Sequence, residues 1–257
     1  MNKYYLIPLL AIFLTSQNTL TNYARPLIKP EENVLEKLYE LQILKPDSPV
    51  RLHLGYGGKH LDDYINIDFA PNMHTFQAKI GADVFADITT LNIPDNSVDE
   101  IRSCHVFEHF DRPTAIALLC KWHKSLKIGG FVHIETPDFR KSVEVFLDRK
   151  SSYNVKQQVL RHIYGSHETS WAIHCDGWYK EKFEYILKQL GFENIRFEFD
   201  YKRVTKNIRV TAYKRKMHKK NQLSIIAKKI LSQSMIDRNE KKMLEIWYKN
   251  FNKIFKR

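Results

Sequence analysis

Near the start of the chain, Arg51-Leu52-His53-Leu54 runs into Gly55-Tyr56-Gly57-Gly58, and Tyr64-Ile65-Asn66-Ile67-Asp68 follows after a short polar stretch. An apolar strand entering a turn almost bare of side chains, then a second strand tipped by a carboxylate, leaves few folds open. Glycines let the backbone come close to a ligand that a Cβ would push away. A carboxylate at the end of the next strand accepts both hydroxyls of a ribose. The pair suggests a nucleoside site. A Gly-x-Gly-Gly turn alone is weak evidence, since tight turns need glycine for conformational reasons.

The continuation strengthens it. Gly81-Ala82-Asp83-Val84-Phe85-Ala86-Asp87-Ile88 leads through Leu91-Asn92-Ile93-Pro94-Asp95-Asn96-Ser97 to an apolar strand over 98–104. After it come His105-Val106-Phe107-Glu108-His109-Phe110, a helix, the turn Leu126-Lys127-Ile128-Gly129-Gly130 and a strand over 131–136 closed by Pro137-Asp138. In order and spacing these pieces resemble the class I S-adenosylmethionine-dependent methyltransferases, in particular the small bacterial methyltransferase type 11-like group, over roughly residues 50–213. Two positions depart from that group's pattern. Tyr56 stands where a cysteine or other small residue is usual, and Ile128 replaces a proline.

The resemblance implies an α/β fold: a doubly wound, seven-stranded, mostly parallel Rossmann-like sheet. It implies S-adenosylmethionine as cofactor, with Gly55, Gly57 and Gly58 at the methionine moiety, Asp68 at the ribose, and Asp87 with Ile88 at the adenine. Cys104 and His105 follow the fourth strand, where an acceptor meets the methyl group; Cys104 is counted with the cofactor contacts. His109, His174 and Asp138 are further residues for that mouth. His105, His109 and His174 are the catalytic candidates, because imidazole titrates near neutral pH as a base should. The acceptor expected from the resemblance is a small molecule or a glycan, methylated at oxygen. Plainer readings stand beside these: Asp68 capping a loop, Asp87 in an Asx-turn, each histidine a structural hydrogen-bonder.

Three rivals share the motifs. His105-Val106-Phe107-Glu108-His109 matches the H-x-x-E-H signature of inverted zinc peptidases. That motif belongs inside a helix, whereas here it follows a strand directly and Asp111-Arg112-Pro113 opens a new helix beyond it, so no metal is assigned. A dinucleotide-dependent oxidoreductase would want a third spaced glycine, and Lys59, His60 and Leu61 follow the turn instead. A non-catalytic nucleoside-binding module of the same fold is kept open by Tyr56, a bulky residue expected to crowd the cofactor turn.

Organisation along the chain falls into three parts: an apolar segment over 1–29, a domain with a leading helix over 30–213, and a basic tail over 214–257. Lys3 and the apolar run after it have the character of a signal-peptide core or of a membrane-surface contact and fall short of the roughly 20 residues of a spanning helix. Three widely spaced cysteines favour free thiols and a reducing compartment, so the domain is expected in the cytoplasm, with export as the minority reading. A helix is expected over 30–42, a second from Asp111 to Gly129 with Ile116, Leu119, Trp122 and Leu126 as its buried stripe, and a third over 139–162. Residues 164–174 read as a loop rich in aromatics and histidines, a lid or binding segment. The chain carries a net charge of +12, and fourteen Lys/Arg against three acids lie from residue 214 onward. Among those lysines Leu223, Ile226, Ile230, Met243, Ile246, Trp247, Phe251, Ile254 and Phe255 recur at helical spacing. Such a helix lies on an anionic membrane surface or packs on its own domain; nucleic acid is a third partner class.

Overall fold

The computed structural model describes residues 25–55, 57–69, 81–201, 204–237 and 239–256. The signal-like run before residue 25 and the Tyr56 ring lie outside the described residues. Seven strands make one sheet: β1 (Arg51–Leu54), β2 (Ile65–Asp68), β3 (Val84–Phe85), β4 (Val98–Cys104), β5 (Leu126–Pro137), β6 (Phe192–Asp200) and β7 (Asn207–Lys214). Their order is β3-β2-β1-β4-β5-β7-β6. β1 to β5 run parallel, and β7 lies antiparallel between β5 and β6. Strand order reverses at β1 and β4, so a crevice opens above their carboxyl ends, where open α/β sheets bind ligands.

The helices are α1 (Val34–Glu40), α2 (Arg112–Ser125), α3 (Phe139–Leu147), α4 (Tyr153–Tyr164), α5 (Lys180–Gln189), α6 (Lys220–Ser232) and α7 (Lys241–Phe255). Several differ from the expected spans for local reasons. α1 starts late because the Asn33 side chain caps it, accepting from the Leu35 and Glu36 amides. α2 is capped by Asp111 as expected, yet ends at Ser125. Residues 126–130 belong to β5, where the ladder with β4 slips and Gly130 lies so close that a Cβ would sit 2.8 Å from the Asp99 carbonyl. The stretch over 139–162 is two helices, the second capped by Ser152.

α2 is buried nearly all round, and its expected one-sided stripe is only half of its packing. One face meets the sheet. The other is covered by the tail, whose Leu223, Ala227, Ile230, Leu231, Phe251 and Phe255 join the core. Much of the tail's apolar face is therefore occupied by α2, with Ile246 left exposed, while most of the tail's lysines remain outside. Lys214, at the head of the tail, is buried and donates to the Leu126 carbonyl at 2.6 Å, at the C-terminal end of α2 where a cation is favoured. At the opposite edge, Phe85 exchanges backbone bonds with the 26–28 stretch (Ile28 N to Phe85 O, Phe85 N to Pro26 O, both 2.9 Å), extending the sheet past β3. No helix of the described residues is long and apolar enough to cross a membrane.

Candidate active site

A cavity of about 230 Å³ opens over the carboxyl ends of β1, β2 and β4. Its first wall is built from backbone and one carboxylate. Gly55 leaves β1 at φ +82°, and a Cβ there would sit 2.0 Å from Val106 Cγ2, so the residue after β1 has to be glycine for both conformation and room. The Gly57 amide donates to Asp68 Oδ2 at 3.0 Å, and the Phe69 amide donates to Oδ1 at 2.7 Å. The carboxylate thus faces the cavity at a fixed angle. Asn66, two residues earlier and fully buried, holds this arrangement from below. Its amide group donates to the Leu61 and Tyr64 carbonyls and to Asp83 Oδ2, and its Oδ1 accepts from the Leu61 amide. Phe69, Ala86 and Ile88 continue the wall as an apolar slot.

The second wall follows β4. His105 sits at φ +54°, a left-handed conformation uncommon for histidine, which swings its ring between two acids. Nδ1 lies 3.3 Å from Glu108 Oε1 and Nε2 lies 3.4 Å from Glu135 Oε1. Burial opposes charging the ring, but the hydrogen bonds and charges of Glu108 and Glu135 outweigh it and push the pKa up to about 10. Glu135 is held down to about 2: burial raises it, and His105 and Arg209 more than reverse that. Arg209 Nε donates to Glu135 Oε2 at 2.7 Å from the neighbouring antiparallel strand. Glu108 is 2% exposed, and its carboxyl is also lowered: burial pushes up, and His105 first among its neighbours pulls down.

The loop over 165–178 closes this wall and is anchored by backbone bonds. The Cys175 amide donates to the Glu108 carbonyl at 2.8 Å, and the His174 amide to the Tyr164 carbonyl at 3.0 Å. His109 Nδ1 pairs with the Ile173 carbonyl at 3.2 Å. The His109 and His174 rings meet edge-on with centroids 4.7 Å apart. Val106, Phe110, Ser170, Trp171, Ile173 and Cys175 complete the lining.

Of the residues read from sequence, Gly55, Gly57, Asp68, Ile88, His105 and His109 line this cavity. His174 stands behind His109 and lines a small neighbouring pocket with Glu108. Gly58 and Cys104 do not reach the lining; Cys104 ends β4 opposite Glu135, with its thiol pushed up by burial. The Asp87 carboxylate is turned away: Oδ1 accepts from the Thr89 amide at 2.9 Å and the Thr89 hydroxyl at 2.7 Å, the plainer Asx-turn. Asp138 caps α3 and accepts from the Tyr201 hydroxyl at 2.6 Å, so it is a framework residue. His105 has both ring nitrogens engaged with carboxylates, which gives it a positioning role and leaves no lone pair to take a proton. Glu135, Asn207 and Arg209 were not singled out by the sequence reading. The available signal was Glu135, the one acid in β5, level with the residue before His105.

Residues 51–134 match the family model described as a methyltransferase domain. No curated protein matches the chain. Among solved structures the chain is similar to a Bacillus halodurans C-125 protein at 14% identity, covering 71% of this chain and 99% of that one, TM-score 0.43. A SAM-dependent methyltransferase from Archaeoglobus fulgidus has 14% identity, with 70% and 93% covered and a TM-score of 0.42. Human N-acetylserotonin methyltransferase in complex with SAM has 14% identity, with 65% and 47% covered and a TM-score of 0.42.

Proposed function

Because residues 51–134 match a methyltransferase domain, we propose that the chain is a class I S-adenosylmethionine-dependent methyltransferase that methylates a small-molecule or glycan-type acceptor at oxygen. The observation that carries this reading is the Asp68 carboxylate, pinned by the Gly57 amide at 3.0 Å on the wall of a cavity whose other residues are largely apolar or aromatic. That is the composition of a small-molecule site: an apolar enclosure with a few directed polar groups. Methyl transfer from a sulfonium is an in-line displacement. A lone pair of the acceptor forms the new bond to the methyl carbon while the carbon–sulfur bond breaks and its electron pair passes to sulfur.

The chain's task is alignment and exclusion of water. Gly55 and Gly57 offer bare backbone to the cofactor, Asp68 accepts from the ribose hydroxyls, and Phe69, Ala86 and Ile88 suit the adenine face. Phe110, Trp171 and Ile173 enclose the acceptor side. His105 holds Glu108 and Glu135 in place. The three cysteines are free, which favours a cytoplasmic location for the domain.

Calorimetric titration with S-adenosylhomocysteine tests the reading. Wild type should bind one equivalent, and Asp68→Ala should weaken binding by about 30- to 300-fold, as expected for charge-assisted hydrogen bonds to two hydroxyls. No heat of binding to wild type would move the chain to the non-catalytic class.

A further inference from the structure

Folding brings Glu108, His109 and His174 together, although the last comes from a loop far downstream. One donor atom from each lies within 4.8 Å of the others, and His174 Nε2 is 4.0 Å from Glu108 Oε1. Around an ion with bonds of about 2.0–2.2 Å, neighbouring donors sit roughly 3.3–3.6 Å apart, so small side-chain rotations close the set. A second observation is independent of that spacing. Glu108 is 2% exposed, and its Oε2 has no hydrogen-bond partner. A buried, acceptor-only oxygen left without a donor is costly, and a cation removes the cost.

His109 adds the orientation. Its Nδ1 pairs with the Ile173 carbonyl at 3.2 Å, which fixes the proton there and leaves the Nε2 lone pair available to a metal, the arrangement by which metal-bound histidines are held. We propose that Glu108, His109 and His174 form a site for one borderline divalent transition-metal ion, of the zinc, cobalt(II) or iron(II) class, at the second wall of the cavity. The His₂Glu donor set selects against magnesium and calcium, which prefer oxygen, and leaves a position open for water or substrate. This is not the H-x-x-E-H arrangement of the sequence. His105, the first residue of that signature, is held between Glu108 and Glu135 and serves to orient the glutamate.

Binding of the ion stands on these contacts alone, while its use rests on the methyl-transfer reading. An ion held between His109 on the cavity lining and Glu108 and His174 behind it would polarise an acceptor hydroxyl that reached it, the proton passing to water at the cavity mouth. The carbon–oxygen bond then forms as the carbon–sulfur bond breaks and sulfur keeps the electron pair.

The test is titration of the full, chelator-stripped chain with Co²⁺, read by visible absorption and by metal content after dialysis, with S-adenosylhomocysteine titrated in parallel. Expected is one equivalent of Co²⁺ in wild type and at least a tenfold loss of affinity in His109→Ala and in His174→Ala, with S-adenosylhomocysteine affinity changed less than about threefold in His174→Ala, whose side chain stands outside the cavity lining. Glu108→Gln should behave likewise. Should that buried variant fail to fold, the two histidine variants decide. No uptake by wild type, or uptake that survives both histidine variants, overturns the site. Retained Co²⁺ binding without S-adenosylhomocysteine binding would instead overturn the methyl-transfer reading and leave the metal site standing.

Discussion

The two walls of the cavity are made in different ways. Gly55, Gly57 and Asp68 come from one strand–turn–strand unit, and their geometry is set by backbone: a left-handed glycine, an amide aimed at a carboxylate, and Asn66 tying the turn from below. The facing wall draws His105, Glu108 and His109 from the end of β4, Glu135 from β5, Arg209 from β7 and His174 from the 165–178 loop. There the side chains hold one another. A wall of backbone tolerates no change at its glycines and little depends on distant packing. A wall of mutually supporting charges depends on every element that contributes one.

The sharpest way to break that contrast is Gly55→Ala. The added methyl would lie 2.0 Å from Val106 Cγ2 at a φ of +82°, so it collides and is conformationally strained together. S-adenosylhomocysteine affinity should fall by about a hundredfold or more, measured by calorimetry, with the secondary structure intact by circular dichroism. The double variant Gly55→Ala/Val106→Ala should recover part of that loss, because it removes the collision and keeps the strain. Full recovery would mean that the turn's conformation contributes nothing, and the backbone account of the first wall would fail.

This contrast also explains what was legible in the sequence. The first wall could be read because its signals are contiguous: an apolar run, glycines, then Asn66 and Asp68 at the tip of the next strand. The Asp111 cap and Pro113 of α2 were equally local, and α2 begins where they say. The grip on His105 was not legible. It depends on β7 inserting antiparallel beside β5, which sets Arg209 level with Glu135, a register that no single segment encodes. The Asp87 carboxylate misled for the opposite reason. A local partner, Thr89 two residues on, won it before any ligand could. α2 read as one-sided because its own sequence shows only apolar residues, not what covers them, and the tail that covers it looked like a candidate for a membrane.

The second wall's dependence on distant packing is open to a pH test. His123, on the face of α2 turned to the tail, is fully buried, and its Nε2 meets the Lys216 carbonyl at 2.9 Å. Burial first, then the charge on Lys214, depress its pKa to about 4 despite that hydrogen bond. The unfolded chain takes up this proton near pH 6.5 and the folded chain only near 4. The contribution of this group to stability is therefore complete above about pH 6.5, declines as pH falls through that window, and is fully lost below about 4. The loss amounts to on the order of 3 kcal/mol from this group. Urea unfolding at a series of pH values should show that slope, and His123→Gln should flatten part of it, His133 with the same direction of shift accounting for a remainder. Hydrogen exchange at pH 5 should rise in 105–110 and 165–178 before it rises in 51–68. Equal rises would show that both walls lean on α2 alike.

The smallest effect should come from Glu135→Gln, and it separates stability from binding. The substitution keeps the shape of the side chain and removes the charge that Arg209 Nε meets at 2.7 Å and His105 Nε2 at 3.4 Å. Glu135 is only partly screened and Arg209 is about one-third exposed, so the pair belongs between a surface bridge and a buried one, and its loss should cost about 1–2 kcal/mol in urea unfolding. S-adenosylhomocysteine affinity should change less than about threefold, because neither oxygen of Glu135 touches the glycine turn or Asp68. A tenfold loss of that affinity would join the two walls into one electrostatic unit. The cofactor would then be held by the charges after β4 and β5 as much as by the backbone after β1.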